Sequence, residues 1–395
     1  MPDMHNLIAK AKALQPRLVE LRRTIHRRPE LGFEVHETAA LVARTLRELG
    51  IEAQTGVGKT GIVGHLGDGA GPVVALRADM DALPIHELNA VDYASTVAGQ
   101  MHACGHDAHT TMLLGAAMLL AGEKLSGQVR FIFQPCEETS DDEGISGAPR
   151  MVADGALSGV NSVIALHVDG TLETGQIGIE SGMVLAAVDS FNAVVRGRGG
   201  HGAHPDTAND PIWLATQVLN ALYAVPSRRI DPLQPCVLSL GVIRGGHASN
   251  IIPAEVYLEG TLRSMDPGVR EQLLLEVERC LQVARALGGD FTLKIERGYP
   301  PLHNHAGVAD EIRASAYDLL GAAGLGAAQP SMGAEDFAYM TQQCDGAMFR
   351  LGVKPPGAAA RHLHTADFNL DEDALPLGAA MLAATALRLM ARGVK

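Results

Sequence analysis

Aromatic side chains are scarce in this chain. Phe, Tyr and Trp make up 4% of its 395 residues, with a single Trp, so its cores must be built from Ala, Val, Leu and Ile. Basic runs are missing and the formal net charge is −13, which argues against nucleic acid as a partner. The acidity instead serves solubility. No Cys-x-x-Cys pair occurs. The five cysteines (104, 136, 236, 280 and 344) are odd in number and far apart, so no disulfide framework is expected and a reducing cytoplasm fits. The longest apolar run, 112–121, is too short for a bilayer, so no membrane partner is expected. The first residues read as a charged amphipathic helix without the apolar core of a secretion signal. There is no internal repeat and no low-complexity tract.

What is present points to two domains. The length exceeds one simple core, and 44 glycines suit many tight β–α connections. Residues 5–28 and 35–50 read as helices, and apolar runs 62–66, 73–77, 129–133 and 162–166 as buried strands. Helical stretches at 107–121 and 144–156 alternate with the later strands, which predicts an α/β sheet with helices on both faces. Near residue 184 the pattern changes. Residues 190–196 (strand), 210–225 (helix), 236–243 and 250–263 (strands), 267–287 (helix) and 290–297 (strand) give a β-α-β-β-α-β order. Helices near 306–320 and 371–391 then resume the first pattern. The expectation is a discontinuous domain of 1–184 and 298–395 with 185–297 inserted.

The polar pieces fall near the predicted strand ends, where chemistry collects in α/β sheets. Asp79 and Asp81 follow 73–77. Glu137 and Glu138 follow 129–133. His167 follows 162–166. Cys104-Gly105-His106 sets a thiol and an imidazole two residues apart with a flexible glycine between, flanked by His102 and His109. Any one of these alone reads as a buried cysteine, an ordinary histidine or a solvated carboxylate pair. Cys104, His106, His167, His364, Glu137 and Glu138 together offer a thiol, three imidazoles and two adjacent carboxylates. That is enough for two metal ions and a base, the parts needed to split an unactivated amide. Cys104 or Cys136 beside a histidine could also be read as a nucleophile, but no oxyanion-hole signature accompanies either. In the inserted part, a Gly-rich loop with His201 and His204, then Asn250 and Arg263, supplies donors suited to an oxyanion and a carboxylate.

The motifs HRRPELGFEVHET (26–38), ALRADMDALP (75–84), MHACGHDAHT (101–110), FQPCEE (133–138), ALHV (165–168), VRGRGGHGAHP (195–205), SNIIP (249–253), EGTLRS (259–264), GAEDFA (333–338) and HLHTADFNLDED (362–373) occur in one order over nearly the whole chain. In this the chain resembles the aminoacylase, hippurate hydrolase and auxin-conjugate (IAA-amino acid) hydrolase branch of the dinuclear metallopeptidases. The resemblance implies an α/β, phosphorylase/hydrolase-like catalytic domain with a mixed sheet, and an inserted α+β ferredoxin-like dimerisation or lid domain. It implies two divalent ions per subunit, Mn or Zn with Co or Ni as alternatives, held by Cys104, His106, Glu138, His167 and His364. Cys104 would bridge, giving one ion Cys104, Glu138 and His364 and the other Cys104, His106 and His167. Glu137 would be the general base. His201 would reach the partner subunit's site as an oxyanion donor, and Asn250 and Arg263 would hold the substrate carboxylate. Relatives outside the branch carry His-x-Asp where this chain has Asp79-Met80-Asp81, so Asp81 keeps a catalytic-site position without the histidine it would orient. Gly246-His247-Ala248 departs from the branch and marks a different substrate pocket.

The resulting expectation is a cytoplasmic, homodimeric, metal-dependent amidohydrolase acting on a small N-acyl amino acid. A dipeptidase or carboxypeptidase on the same site, and a non-catalytic binding protein on the same fold, stay open.

Overall fold

The computed structural model describes residues 4–67 and 70–392. The chain folds as two units, one of Met1–Gly182, His303–Gln329 and Tyr339–Lys395, the other of Met183–Leu302 and Pro330–Ala338.

The first unit is built on an eight-stranded mixed sheet. Its order is Glu52–Val57, Gly61–Leu66, Gln128–Gln134, Val73–Asp79, Ser162–Glu173, Asp345–Lys354, then the two-residue strands Ile177–Gly178 and Leu325–Gly326. The central strands are parallel: Val73–Asp79 runs with both Gln128–Gln134 and Ser162–Glu173, and the latter with Asp345–Lys354. Parallel central strands need cover on both faces, which explains their near-continuous apolar runs. Two of these strands depart from the sequence reading. Asp345–Lys354 was not visible in it, because Arg350 and two glycines break its apolar run. Ser162–Glu173 continues well past 166. Pairing with Val73–Asp79 nevertheless stops at Ala165, so His167 lies just beyond the end of that ladder.

Helices His106–Leu120 and Ala374–Arg392 pack against each other in the core. Ala374–Arg392 is long and apolar enough to cross a bilayer by length and composition, but 83% of its most apolar window is buried inside the protein. The expected helix over 5–28 is two helices, Met4–Ala13 and Gln15–His26. Pro16, in the first turn of the second, has no N–H to continue the ladder of the first.

The second unit has a four-stranded antiparallel sheet in the order Cys236–Gly245, Glu255–Ser264, Ala187–Arg196, Asp290–Arg297. Strict alternation of burial along Ala187–Arg196 marks one covered face. Its core includes Leu214, Val218 and Leu222 of helix Pro211–Arg228 and Leu273, Val277 and Leu281 of helix Pro267–Ala286. The strand expected over 250–263 is split at Pro253. Ile251–Ile252 pairs with Gly200–His201, and Glu255–Ser264 joins the main sheet. A proline cannot donate to a ladder, so the two pieces take different partners.

Candidate metal centre

Loop 101–107 begins on a reciprocal backbone pair between Leu83 and Met101, each bond 3.0 Å. Gly105 then turns at φ 86°, and a Cβ there would lie 2.5 Å from Val168 Cγ2. Only glycine meets both demands, and helix His106–Leu120 starts immediately after. The turn sets Cys104 Sγ 3.4 Å from His167 Nε2 and 3.3 Å from His364 Nε2. His364 Nε2 is 3.3 Å from Glu138 Oε1, and His106 Nε2 is 3.8 Å from the same oxygen.

These side chains form two groups sharing one sulfur: Cys104, His106 and His167, and Cys104, Glu138 and His364. Within each group the ligand atoms lie within 4.8 Å of one another. Donors about 2.0–2.3 Å from a zinc-like ion must themselves be about 3–4 Å apart, so the spacing suits a cation. The hydrogen bonding suits it as well. His106 Nδ1 donates to the Asp81 carbonyl at 2.8 Å, and His167 Nδ1 to the Val168 carbonyl at 2.8 Å. In the neutral ring each Nε2 is thereby left as a lone pair. His106 Nε2 and Glu138 Oε1 are buried with no hydrogen bond among the described residues. The His364–Glu138 separation is an ion-pair distance without hydrogen-bond geometry. Two buried polar atoms left in this way call for a ligand between them.

The adjacent carboxylates are fixed from behind. Cys136 sits at φ 53° and His364 at φ 62°, a region that costs a side-chain-bearing residue about 1–2 kcal/mol. At Cys136 the turn directs two successive N–H groups at one carboxylate. Glu137 N–H donates to Asp81 Oδ1 at 3.0 Å, and Glu138 N–H to Asp81 Oδ2 at 3.1 Å. Asp81 also lies beside His106, its Oδ1 3.4 Å from Nδ1. The imidazole that Asp81 steadies in this chain is therefore His106, whose position the sequence alone did not reveal.

Asp79 takes a different part. Its Oδ1 accepts from His109 Nδ1 at 2.6 Å, and its Oδ2 pairs with Arg77 at 2.7 Å. His109 Nε2 in turn accepts the Val168 N–H at 3.0 Å. Both nitrogens of His109 are engaged, although with Asp79 and His106 it forms a further group close enough for an ion. This chain of contacts steadies the backbone next to His167. A sequence signal for it exists: Arg77 lies in the middle of an apolar strand, and a buried guanidinium needs a carboxylate partner. His102 joins neither metal group. It is buried, both its nitrogens lack hydrogen bonds, and burial drives its pKa down to about 3.

The local charge is strongly negative. Burial opposes a charge on His106, yet Asp79, the bond to Asp81 and Glu138 raise it to about 10. Burial, with Glu138, Glu137 and Asp79, pushes the Cys104 thiol well up. The Glu138 carboxylate beside it raises His364. Cys136, the other cysteine read as a possible nucleophile, is buried, and its thiol donates to the Thr139 carbonyl at 3.3 Å.

In the second unit, His201 and Asn250 lie side by side. Ile251 pairs with His201, and Gly202 N–H donates to the Asn250 carbonyl at 2.8 Å. His201 Nδ1 accepts the Ala203 N–H at 3.0 Å, so Nε2 of the neutral ring carries the proton and is a donor. Arg263 lies elsewhere. It sits opposite Val188 and Val237, whereas Glu255, nearest the His201 loop, sits opposite Arg196. Eight residues of strand separate the two ends, about 26 Å at 3.3 Å each. Arg263 is half-buried, and burial lowers its pKa against the pull of Asp189. No hydrogen bond or ion pair engages its guanidinium among the described residues.

Comparison with known proteins agrees with this geometry. Thermostable carboxypeptidase 2 of Saccharolobus solfataricus is 40% identical over 384 residues, covering 95% of this chain and 96% of its own. The N-acetyl-L-cysteine deacetylase of Bacillus subtilis is 37% identical over 388 residues, covering 95% and 89%. Among solved structures, the YXEP protein of Bacillus subtilis, a dinuclear metal-binding peptidase, superposes with a TM-score of 0.83 at 32% identity, covering 96% of this chain and 99% of that one. The profile of peptidase family M20/M25/M40 matches residues 75–388, and the chain belongs to that family.

Proposed function

We propose that this metal-dependent amidohydrolase cleaves N-acyl amino acids, such as N-acetyl or N-benzoyl derivatives, to a carboxylate and a free amino acid. The observation that carries the reading is the sulfur of Cys104, shared between two ligand groups and 3.3–3.4 Å from an imidazole of each. Cys104, Glu138 and His364 would hold one divalent ion, and Cys104, His106 and His167 the other. Thiolate, imidazole and carboxylate together suit zinc or manganese, with cobalt or nickel as alternatives. When bound, the ions supply Lewis acidity toward the scissile carbonyl and lower the pKa of the attacking water.

The chain's own residues do the rest. Glu137, its backbone fixed by Asp81, takes a proton from the attacking water and returns it to the leaving amine. His201 Nε2–H donates to the carbonyl oxygen as it gains negative charge. The unpaired Arg263 guanidinium receives the substrate carboxylate. Strand Glu255–Ser264, about 26 Å from Glu255 to Arg263, puts Arg263 at the end away from the segment that carries Asn250 and pairs with His201. We infer that the two ends serve different centres of a dimer, with His201 and Asn250 serving that of a second copy. The second unit is then the dimerisation and lid element of a homodimer. Exposed Ile212, Trp213 and Ile243 on that unit support a partner there. The free cysteines support a reducing, cytoplasmic setting.

Likeness to a deacetylase of N-acetyl-L-cysteine supports the acyl substrate. Likeness to a carboxypeptidase supports a second reading, a peptide substrate on the same site. The complete donor set argues against a non-catalytic binding protein. Elemental analysis of the purified protein, followed by turnover of N-acetyl, N-benzoyl and dipeptide substrates with each metal restored, tests all three. Preference for dipeptides would move the assignment to the second reading, and full turnover without metal would end both.

A further inference from the structure

Behind the metal ligands, the first unit buries a chain of charges that the hydrolysis above does not use. Arg22, in helix Gln15–His26, is 1% exposed. Its Nε donates to Asp107 Oδ2 at 2.8 Å and its Nη1 to Glu372 Oε1 at 3.2 Å. One helical turn later, His26 Nδ1 lies 2.7 Å from the same Asp107 oxygen, and its Nε2 lies 3.1 Å from Glu87 Oε1. Ionised carboxylates only accept, so a ring facing one at each nitrogen donates from both and is an imidazolium.

The three carboxylates belong to three different segments. Asp107 is the residue after His106, in the first turn of its helix. Glu87 organises loop 84–96 by accepting the Ser95 N–H at 2.6 Å and Asn89 Nδ2 at 3.0 Å. Glu372 ends the segment that follows His364. Loop 84–96 grips that segment too: Leu88 N–H donates to the Ala366 carbonyl at 2.8 Å, and Asn89 Nδ2 to the Phe368 carbonyl at 2.9 Å. One turn of helix thus joins the segment bearing Cys104 and His106 to the one bearing His364.

We propose that Arg22 and His26 are positioning residues of the metal centre, holding the Cys104–His106 loop and the His364 segment in register so that ligands from both meet one ion. The inference rests on the ligand assignment above. Apolar side chains would join these segments at no loss of stability, because a buried ion network is commonly neutral or worse than good packing. What the charges add is direction: each bond fixes one segment at one angle. Outer partners of this kind typically change metal affinity or activity by about 10–100-fold.

The test uses the full chain with Zn²⁺ alone as the probe, its affinity measured by competition with a chromogenic chelator. Arg22→Met and His26→Gln are each expected to weaken Zn²⁺ binding by about tenfold or more, and Arg22→Lys to recover part of the loss. A second readout separates this role from general packing. Groups facing His26 are Arg22 on its own helix, Glu87 and Tyr93 on loop 84–96, and His102 and Asp107 on the metal loop. Burial disfavours the His26 charge, but Asp107 and Glu87 outweigh it and its pKa is raised. A raised folded pKa gives stability that is complete below the unfolded value, about 6.5, and is lost as pH rises through the folded value. The metal-free wild type should therefore melt progressively lower across that window, and His26→Gln should show a smaller step, what is left coming from His106 and His364, which are raised too. Variants that melt lower but bind Zn²⁺ as tightly as wild type would overturn the proposal, as would an unchanged step in His26→Gln. Should Arg22→Met not fold, His26→Gln and Arg22→Lys carry the same test. Cys104→Ser and His364→Ala in parallel isolate the ligand assignment. If they keep Zn²⁺, that assignment fails. If they lose it while the Arg22 and His26 variants keep it, only the positioning role fails.

Discussion

Asp81 Oδ1 accepts the backbone N–H of Glu137 at 3.0 Å, and the other oxygen of Asp81 accepts the next N–H. A single buried carboxylate therefore fixes the backbone direction at Glu137, the proposed general base. Asp81→Asn should break this arrangement. One of its two acceptor oxygens becomes an NH₂ that must face an N–H, donor against donor. We expect kcat to fall by about 10–100-fold with a smaller change in KM. A variant with wild-type kcat would show that the loop holds its shape by other contacts.

Glu137 and Glu138 are neighbours with different work, and their glutamine variants should separate. Glu137→Gln removes the proton acceptor and should lower kcat by about a hundredfold or more while the ions stay bound. Glu138→Gln removes a ligand and should weaken metal binding first. Kinetics and elemental analysis on the same preparations decide the matter. The reverse pattern would mean that the two roles are exchanged.

Metal uptake should release protons. His106 is raised to about 10 by the carboxylates around it, so near neutral pH an incoming ion displaces a proton there. For each proton displaced, apparent Zn²⁺ affinity should weaken by about tenfold per pH unit as pH falls below that value. Calorimetry in buffers of different ionisation enthalpy counts the protons. A pH-independent affinity from 6 to 8 would remove His106 and Cys104 as ligands.

The thiol offers an independent check. Burial and three carboxylates push Cys104 well up in the metal-free protein, whereas a bound ion would hold it as a ligated thiolate. In either state it is a poor nucleophile toward an alkylating reagent, so labelling at neutral pH should be slow with metal and no faster than an ordinary buried cysteine without it. Rapid labelling coupled to loss of activity would instead favour a cysteine nucleophile.

The sequence is informative where chemistry is contiguous. Cys104-Gly105-His106 and Glu137-Glu138 gain weight in combination, because donors lie two residues apart or fewer and the apolar runs beside them mark element ends. Family likeness adds His167 and His364, which spacing alone would leave as ordinary histidines. What sequence does not carry is partnership across long separations. His109 bonds Asp79 30 residues away, and His26 bonds Asp107 81 residues away. Nothing local distinguishes these histidines from His102, which is just as buried and has no hydrogen bond to its ring among the described residues. The strand Asp345–Lys354 escapes because its period is interrupted by residues that only the neighbouring strands explain. In the same way, the sequence does not show that Pro253 separates the segment bearing Asn250 from the strand bearing Arg263, so that the two take different partners.

The proposed division of substrate contacts between two chains makes the sharpest prediction. His201→Ala and Arg263→Ala should each lower kcat/KM with metal content intact. Mixed with Glu137→Gln subunits, His201→Ala should be rescued. One site of each mixed dimer then combines an intact Glu137 with the partner's intact His201, and the other carries both defects. With random assortment, half of the dimers are mixed and half of their sites are whole, so activity should approach about a quarter of wild type. Arg263→Ala mixed with Glu137→Gln should gain nothing, because Arg263 and Glu137 serve the same protomer's site and no combination restores both. Arg263→Ala mixed with His201→Ala should again recover about a quarter, at the metal centre of the His201→Ala chain. Rescue of Arg263→Ala by Glu137→Gln, with no rescue of His201→Ala, would reverse the assignment of the two sheet ends. Failure of every mixture despite proven subunit exchange would place all three residues at one chain's centre and overturn the division.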